Sequence, residues 1–574
     1  MKKVLKFLKP YWYIAIWAPI FMIIEVCADL LQPKFLSHII TYGVEAKNMS
    51  VIYSTGIKML IVVGIGFLGG VLSAVFASAA SQYFGCSLRE AAFRKVTSFS
   101  IEQTDKFSTG SLITRLTSDI TAAQDFVSMG LRMIVRVCMQ FFGGLVMILT
   151  LNVKFGLVFA CALPIQIILI VIMIKKTAPL FSVVQDKLDN VNSVVRENIV
   201  GARVVKSFTT ENYEINRFKN ANDSLTEKTY KVQKIIGTLN PFIMIVMNIS
   251  VIAILSIGGY EVKYSEMNPG DAMAAVTYVT QILMSVMMIG NMFQNITKAK
   301  ACMGRIAEIL DVEPAVKTGE KEFPADFESI TLKNVSFSYP NSEENILDNI
   351  SLVIPKGKTT AILGATGSGK STLLKLFARF YDSEGEIFFG DTEIKDIDLD
   401  SLRKNISFVL QKSELFTGTI ADNILQGKDD ATADEIENAA KIAQAHNFIS
   451  SFDNGYSTFV AEKGASLSGG QKQRISIARG LIKKPKVLIF DDATSALDLS
   501  TEAALRKAMK ENLEGVTVIM VAQRIASVMS ADNIAVIDDG KIVACGTHDT
   551  LMNTSEIYKD IYNSQIKEGA DLNG

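Results

Sequence analysis

The stretch Gly364-Ala365-Thr366-Gly367-Ser368-Gly369-Lys370-Ser371-Thr372 fits G-x-x-x-x-G-K-[ST], the P-loop pattern. The apolar run 359–363 feeds it as a strand, and residues 371–380 leave it as a helix. Glycines let the backbone fold around phosphate oxygens, so that N–H groups and a helix N-terminus face the anion. Lys370 is placed to reach the β- and γ-phosphates, and Ser371 to offer its hydroxyl to Mg2+. A Gly-rich turn without a ligand is the rival reading, and the flanking strand and helix count against it. The chain is therefore expected to bind a nucleoside triphosphate.

Outward from this loop the composition changes. The 574 residues exceed one ordinary domain, and 49% hydrophobic with 20% charged suits a membrane half joined to a soluble half. A net charge of −1 gives no reason to expect nucleic acid. Cys27, Cys86, Cys138, Cys161, Cys302 and Cys545 are scattered without a C-x-x-C pair, so reduced, mostly buried thiols are expected. Three histidines occur, His38, His446 and His548.

Residues 1–9 alternate Lys2, Lys3, Lys6 and Lys9 with apolar positions, as in a short interfacial helix, and Pro10 opens the first span. Six stretches are long and apolar enough to cross a bilayer: 13–31, 57–80, 133–151, 157–174, 235–258 and 272–292. The connections 42–53, 152–154 and 259–271 are short, whereas 81–132 and 175–234 are long. Eleven Lys or Arg lie in 175–234 against one in each short connection. By the positive-inside rule the long loops, the N-terminus and the C-terminal half are cytoplasmic. Leu188, Val191, Val195, Ile199 and Val204 recur at helical spacing, so the long loops read as helix pairs projecting roughly 45 Å. Their turns are expected near 107–111 and 209–213, where Gly110 and Thr209-Thr210 break the pattern. Glu25 and Asp29 share one face of the first span. They read equally as a site for a cationic substrate or a proton and as structural hydrogen-bonding groups, with Asn240 or Gln294 as partners.

After a charged connection at 301–326 the pattern becomes short strands alternating with helices, an α/β domain over 327–574. Strands are expected at 329–338, 346–354, 359–363, 406–410, 486–490, 516–521 and 533–537. Lys486-Val487-Leu488-Ile489-Phe490-Asp491-Asp492 is a buried strand ending in carboxylates, the form of a Walker B strand, with Asp491 placed to hold Mg2+. Ser468 is placed to cap a helix running to about Leu481, and the N–H groups of Gly469 and Gly470 form a second anion site. One nucleotide does not need two distant phosphate cradles. A head-to-tail dimer, with the second cradle closing over the partner's nucleotide, is the economical solution.

Leu467-Ser468-Gly469-Gly470-Gln471 and then 486–498 (KVLIFDDATSALD), behind a P-loop and six spans, resemble the ATP-binding cassette (ABC) exporters over nearly the whole chain. The resemblance implies an all-α six-helix membrane domain with long cytoplasmic helices over 1–300, followed by the α/β P-loop ATPase domain. It implies ATP and Mg2+ as ligands, held by residues 364–372, with Ser371, Gln411 and Asp491 at the metal. Tyr339 matches the aromatic that stacks on adenine, Gln411 the Q-loop glutamine, and Ser495-Ala496-Leu497-Asp498 the D-loop. Ser468, Gly469, Gly470 and Gln471 match the contacts to a γ-phosphate across a dimer. In this family the loop tips near 107–111 and 209–213 dock on the cassettes, and Glu462-Lys463-Gly464 resembles the segment joining those tips to the signature.

Two positions depart from the hydrolysing pattern. The family places a water-polarising glutamate after the Walker B aspartate, and this chain has Asp492, shorter by one C–C bond of roughly 1.5 Å. The strand at 516–521 leads to Gln523 where a switch histidine is expected, and an amide cannot titrate. Together with the intact signature, these point to a heterodimer in a bacterial cell membrane. Its second half-transporter supplies the working glutamate and histidine, and its cargo is amphipathic drugs or lipids. A slow homodimeric lipid flippase and an ATP-gated, non-transporting subunit are the alternatives.

Overall fold

The computed structural model describes residues 1–264, 267–340, 342, 344–522 and 524–571, and their side chains except at 178, 239, 240, 290, 291, 293, 294 and 566–571. Contacts divide it into two units: Met1–Thr97 with Thr109–Val312, and Ser98–Ser108 with Glu313–Gly574.

The first unit is helical. Met49–Thr97, Thr109–Leu151, Val153–Val200, Glu211–Lys263 and Pro269–Ile289 are each long and apolar enough to cross a membrane. The first bundle helix, Trp17–His38, carries Glu25, Asp29 and Lys34 and qualifies together with Lys2–Ala15, from which it bends by 57°. At 1.5 Å per residue the 49-residue helix Met49–Thr97 is about 73 Å long, more than twice a bilayer core. In Met49–Thr97, Val153–Val200 and Glu211–Lys263 the span and its extension are thus one helix, whose own hydrogen bonds satisfy most interior backbone groups without water. Tyr278 anchors the bundle: its ring is buried and its hydroxyl donates to the Leu30 carbonyl at 2.7 Å. Arg305 clasps the buried Asp119 through Nε at 2.7 Å and Nη2 at 2.5 Å.

Several expectations need correction here. The connection expected over 301–326 begins inside a helix, Pro269–Asp311, because Met303, Ile306 and Ile309 continue its buried stripe. The first tip is a short helix at Ile101–Lys106, upstream of 107–111, and Gly110 lies inside the next helix, Thr109–Leu116. Ser100 and Gln103 form a capping box there, a stronger start signal than an isolated glycine is a stop. At the second tip Thr209 has φ +53°, between the helices Ala202–Ser207 and Glu211–Lys263. The N-terminal residues do not simply lie on a surface, since Val4 is fully buried against Phe84, Leu88 and Met303. Five of the six cysteines are exposed on this chain and Cys302 is buried. Cys27, Cys86, Cys138 and Cys161 point outward from bundle helices, where apolar side chains gain nothing from facing inward.

The second unit is α/β. Its strands are β1 Ser329–Phe337, β2 Leu347–Pro355, β3 Thr359–Leu363, β4 Glu384–Phe389, β5 Thr392–Glu393, β6 Ile406–Val409, β7 Gly418–Thr419, β8 Phe459–Val460, β9 Val487–Asp491, β10 Thr517–Val521, β11 Asn533–Asp538 and β12 Lys541–Gly546. A six-stranded sheet of order β12-β11-β3-β10-β9-β6 is parallel apart from β12. A four-stranded antiparallel sheet, β2-β1-β4-β5, packs its apolar face against the first helix after β3. The strands read from the sequence are those with apolar runs or a clear apolar alternation. β4, β5, β7, β8 and β12 escaped, being short or half-exposed: β12 alternates exposed and half-buried positions throughout.

Candidate functional site

Strand order places the chemistry. In the parallel sheet Val521 pairs with Asp491 on one side and Ile362 on the other, so β3, β9 and β10 end side by side. Ligands of open parallel sheets lie beyond such carboxyl ends.

The loop 364–369 leaves β3 and enters the helix Lys370–Phe377. A Cβ on Gly364 would lie 2.1 Å from the Ile537 carbonyl oxygen, and Gly369 has φ +97° with Leu347 and Ile346 close by. Both positions require glycine for the loop to wrap so tightly. The Lys370 ammonium curls back to donate to the carbonyls of Gly364 at 2.9 Å and Ala365 at 2.6 Å. Burial pushes its pKa down, opposed by the Asp492 and Asp491 carboxylates. Ser371 Oγ donates to Asp491 Oδ1 at 2.6 Å, joining the P-loop to the end of β9. The buried Ser368 hydroxyl has no hydrogen-bond partner among the described residues. A tight glycine cradle, an orphaned hydroxyl, an ammonium and a hydroxyl–carboxylate pair fit a magnesium-bound triphosphate.

Asp492 follows in the left-handed region, φ +48°, almost wholly buried. Gln411 Nε2 donates to its Oδ2 at 3.2 Å. Burial raises the Asp492 pKa and the neighbouring Asp491 charge adds to the rise, while the Gln411 bond, Lys370 and Arg524 oppose it. Lys370, Ser371, Gln411, Asp491 and Asp492 thus form one cluster. Gln523, at the end of β10, lies outside the described residues.

Tyr339 stands two residues beyond β1, not within it. Its hydroxyl is 3.2 Å from Thr372 Oγ1, and its ring meets Phe337 and Tyr381 edge-on at 5.1 and 5.4 Å. Ser468 caps the helix Gly469–Leu481 in a full capping box, Gln471 Oε1 accepting from the Ser468 N–H at 2.9 Å. These two side chains serve their own helix, Ser468 accepting from the Gln471 N–H, and the N–H groups of Gly469 and Gly470 have no intrahelical acceptor. A Cβ on Gly470 would sit 3.1 Å from the Ala496 carbonyl oxygen, so the D-loop lies directly against the signature. Asp498 in turn caps Leu499–Asn512, and its bonds to Ser500 and Thr501 hold its carboxyl far below the usual range.

Sequence reasoning missed two connections. Tyr381 donates to Asp105 Oδ2 at 2.8 Å, and Gln103 Nε2 bonds the Glu313 carbonyl, so the short helix Ile101–Lys106 is fastened to the ATPase unit by side chains. Nothing in the local pattern of either partner signals this 276-residue separation. Glu25 and Asp29 both pair with Arg136, at 3.1 and 3.4 Å. The expected partners Asn240 and Gln294 have side chains outside those described. Arg132 and Arg136, four apart near the start of a span, were the overlooked signal.

Comparison with known proteins agrees with this architecture. The family model for the ABC transporter transmembrane region matches residues 15–286, and that for the ABC transporter matches 347–495. An uncharacterized ABC transporter ATP-binding protein, YfiB of Bacillus subtilis, is 38% identical over 575 residues, covering 100% of both chains. An ATP-dependent lipid A-core flippase of Desulfotalea psychrophila is 36% identical, covering 88% of this chain and 89% of that one. A bacterial Atm1-family ABC exporter solved with ATP bound superposes with a TM-score of 0.83 at 25% identity, covering 96% and 98%. The chain belongs to the ABC transporters and has the exporter fold, a multi-pass membrane domain coupled to an ATP-hydrolysing domain. Exporters of this kind act as dimers on lipids or drugs.

Proposed function

We propose that this chain is one half of a heterodimeric exporter, and that its own P-loop holds ATP while its signature completes the partner's hydrolysing site. The observation that carries this is Asp492, a short carboxylate occupied by Gln411 where a longer water-polarising one is needed. The amide at 523 removes the second expected group. The intact signature, with Ser468 capping its helix, supports a working role toward the other site.

On nucleotide binding Lys370 leaves the Gly364 and Ala365 carbonyls for phosphate oxygens, and the loop N–H groups close around them. Ser371, Asp491 and Gln411 are the residues to hold Mg2+, which when bound neutralises charge on the β- and γ-phosphates. Tyr339 supports the base. The N-terminus of Gly469–Leu481 meets the partner's γ-phosphate, and closure passes to the bundle through the two tips. Ile199, Val200, Val204 and Phe208 at the second tip are 60–83% exposed. Such an apolar tip supports docking on a second cassette. The lysine- and arginine-rich extensions support a cytoplasmic ATPase unit in a bacterial cell membrane. The substrates are amphipathic drugs or lipids. The flippase relative favours lipid as cargo, and with it the second reading of a slow homodimeric flippase.

Phosphate release tests the proposal. The purified chain should be weakly active alone and rise many-fold with its partner; strong activity of the isolated chain would refute the asymmetric site. In the pair, Ser468→Ala should abolish most hydrolysis while Asp492→Asn changes little.

A further inference from the structure

Within the helical unit a cavity of about 500 Å³ opens between the first two bundle helices, a volume suited to a small polar group. Glu25, Asp29, Gln32, Phe67, Gly70 and Arg132 line it. The first three lie four and three residues apart, on one face of Trp17–His38.

Its polar groups are incompletely used. Arg136 engages one oxygen of Glu25 and one of Asp29 with its two terminal nitrogens. Glu25 Oε2, both amide atoms of Gln32 and Arg132 Nε are buried without a hydrogen-bond partner among the described residues. Unmatched polar atoms are costly in a protein interior and more so at membrane depth. The local geometry keeps them there. Gly70 stands so close to Glu25 that a Cβ would lie 2.9 Å from Oε2, and one on Gly66 would lie 2.8 Å from the Ala28 methyl. Arg132 sits in a π-helical turn, Gly130–Ile134, a deviation that recurs at functional sites and shifts its register relative to Arg136.

The unused atoms are of both signs: a carboxylate oxygen that accepts, a guanidinium N–H that donates, and an amide that does both. Glu25, Asp29 and Arg132 line the cavity, and Arg136, bound to both carboxylates, brings the group to formal neutrality. A lone cation would leave Arg132 unmatched, and a lone anion would leave Glu25 unmatched. Phe67, at the mouth, is 68% exposed and offers an apolar surface to a tail.

We propose that this cavity recognises the zwitterionic headgroup of an amphipath, its primary ammonium on Glu25 Oε2 and its anionic group on Arg132 and Gln32. This rests on the reading of the protein as an exporter of amphipaths.

The test is binding to the purified full chain in an uncharged maltoside detergent. The probes are lysophosphatidylethanolamine, its anionic analogue lysophosphatidylglycerol, dodecylamine, and glycerophosphoethanolamine as the headgroup alone. Lysophosphatidylethanolamine should bind about tenfold tighter than either singly charged probe, as expected for one further charge-assisted hydrogen bond. Glu25→Gln should turn the preference toward the anionic probe, and Arg132→Gln toward dodecylamine. These are changes of rank that loss of folding cannot mimic. Gly70→Ala should weaken lysophosphatidylethanolamine binding by displacing the Glu25 carboxylate. Tight binding of glycerophosphoethanolamine would support the site with a free zwitterion as its ligand. Equal affinity for all tailed probes, unchanged in both charge variants, would overturn this inference and leave the exporter reading standing. Binding of no probe would also overturn this inference, while the phosphate-release experiment decides the exporter reading separately.

Discussion

Asp492 is where a single side chain departs from the pattern expected of a hydrolysing site. Its carboxylate is buried, bonded to Gln411, and set on a left-handed backbone that aspartate tolerates better than longer residues do. Asp492→Glu combined with Gln523→His should raise phosphate release by the isolated chain about tenfold or more, part of the 10²–10⁴ that a placed base contributes. No rise would count against the proposal that these two side chains keep the site from hydrolysing. Gly364 sets a steric limit of a different kind. Gly364→Ala places a methyl 2.1 Å from the Ile537 carbonyl oxygen, where backbone must move. Thermal unfolding should show a loss of about 1–3 kcal/mol, as for other overpacked sites, together with weakened ATP binding.

At the scale of elements, the short helix Ile101–Lys106 is part of the ATPase unit although it interrupts the membrane sequence. Ile101 packs against the core around Phe337 and Phe377, and Tyr381 ties down Asp105. Burial first, and then the Asp105 carboxylate, push the Tyr381 hydroxyl pKa well above its ordinary value, so it stays a donor at any working pH. Tyr381→Phe keeps the ring and removes the bond, worth about 1.5–3 kcal/mol when one partner is charged. ATP affinity should be unchanged while substrate-stimulated hydrolysis falls several-fold. Unaltered stimulation would remove this bond from the coupling route. The strand-to-loop-to-helix stretch around Gly364 was legible because period, glycines and lysine all agree locally. β4 and β12 were not, because their alternation is blurred by half-exposed positions.

For the whole molecule, the second tip offers the clearest test of assembly. Val204 and Phe208 are 60% and 74% exposed, so replacing them with aspartate should leave the chain folded. Val204→Asp with Phe208→Asp should nevertheless abolish dimer-dependent ATPase activity, with cross-linking showing whether the pair has separated. Full activity of this variant would exclude the tip as a docking element.

Sequence by itself determined the class and the main features: spans from continuous apolar runs, the cradle from glycine and lysine spacing, and the exporter family from a P-loop followed by the signature. Those features are local, and local sterics and hydropathy suffice to encode them. Tertiary structure alone decided which distant groups meet. It paired Arg136 with Glu25 and Asp29, Gln411 with Asp492, and Tyr381 with Asp105, and it kept Glu25 against Gly70. Such pairings depend on how helices and strands pack across scores of residues, and a charge or hydroxyl carries no local mark of the partner it will find.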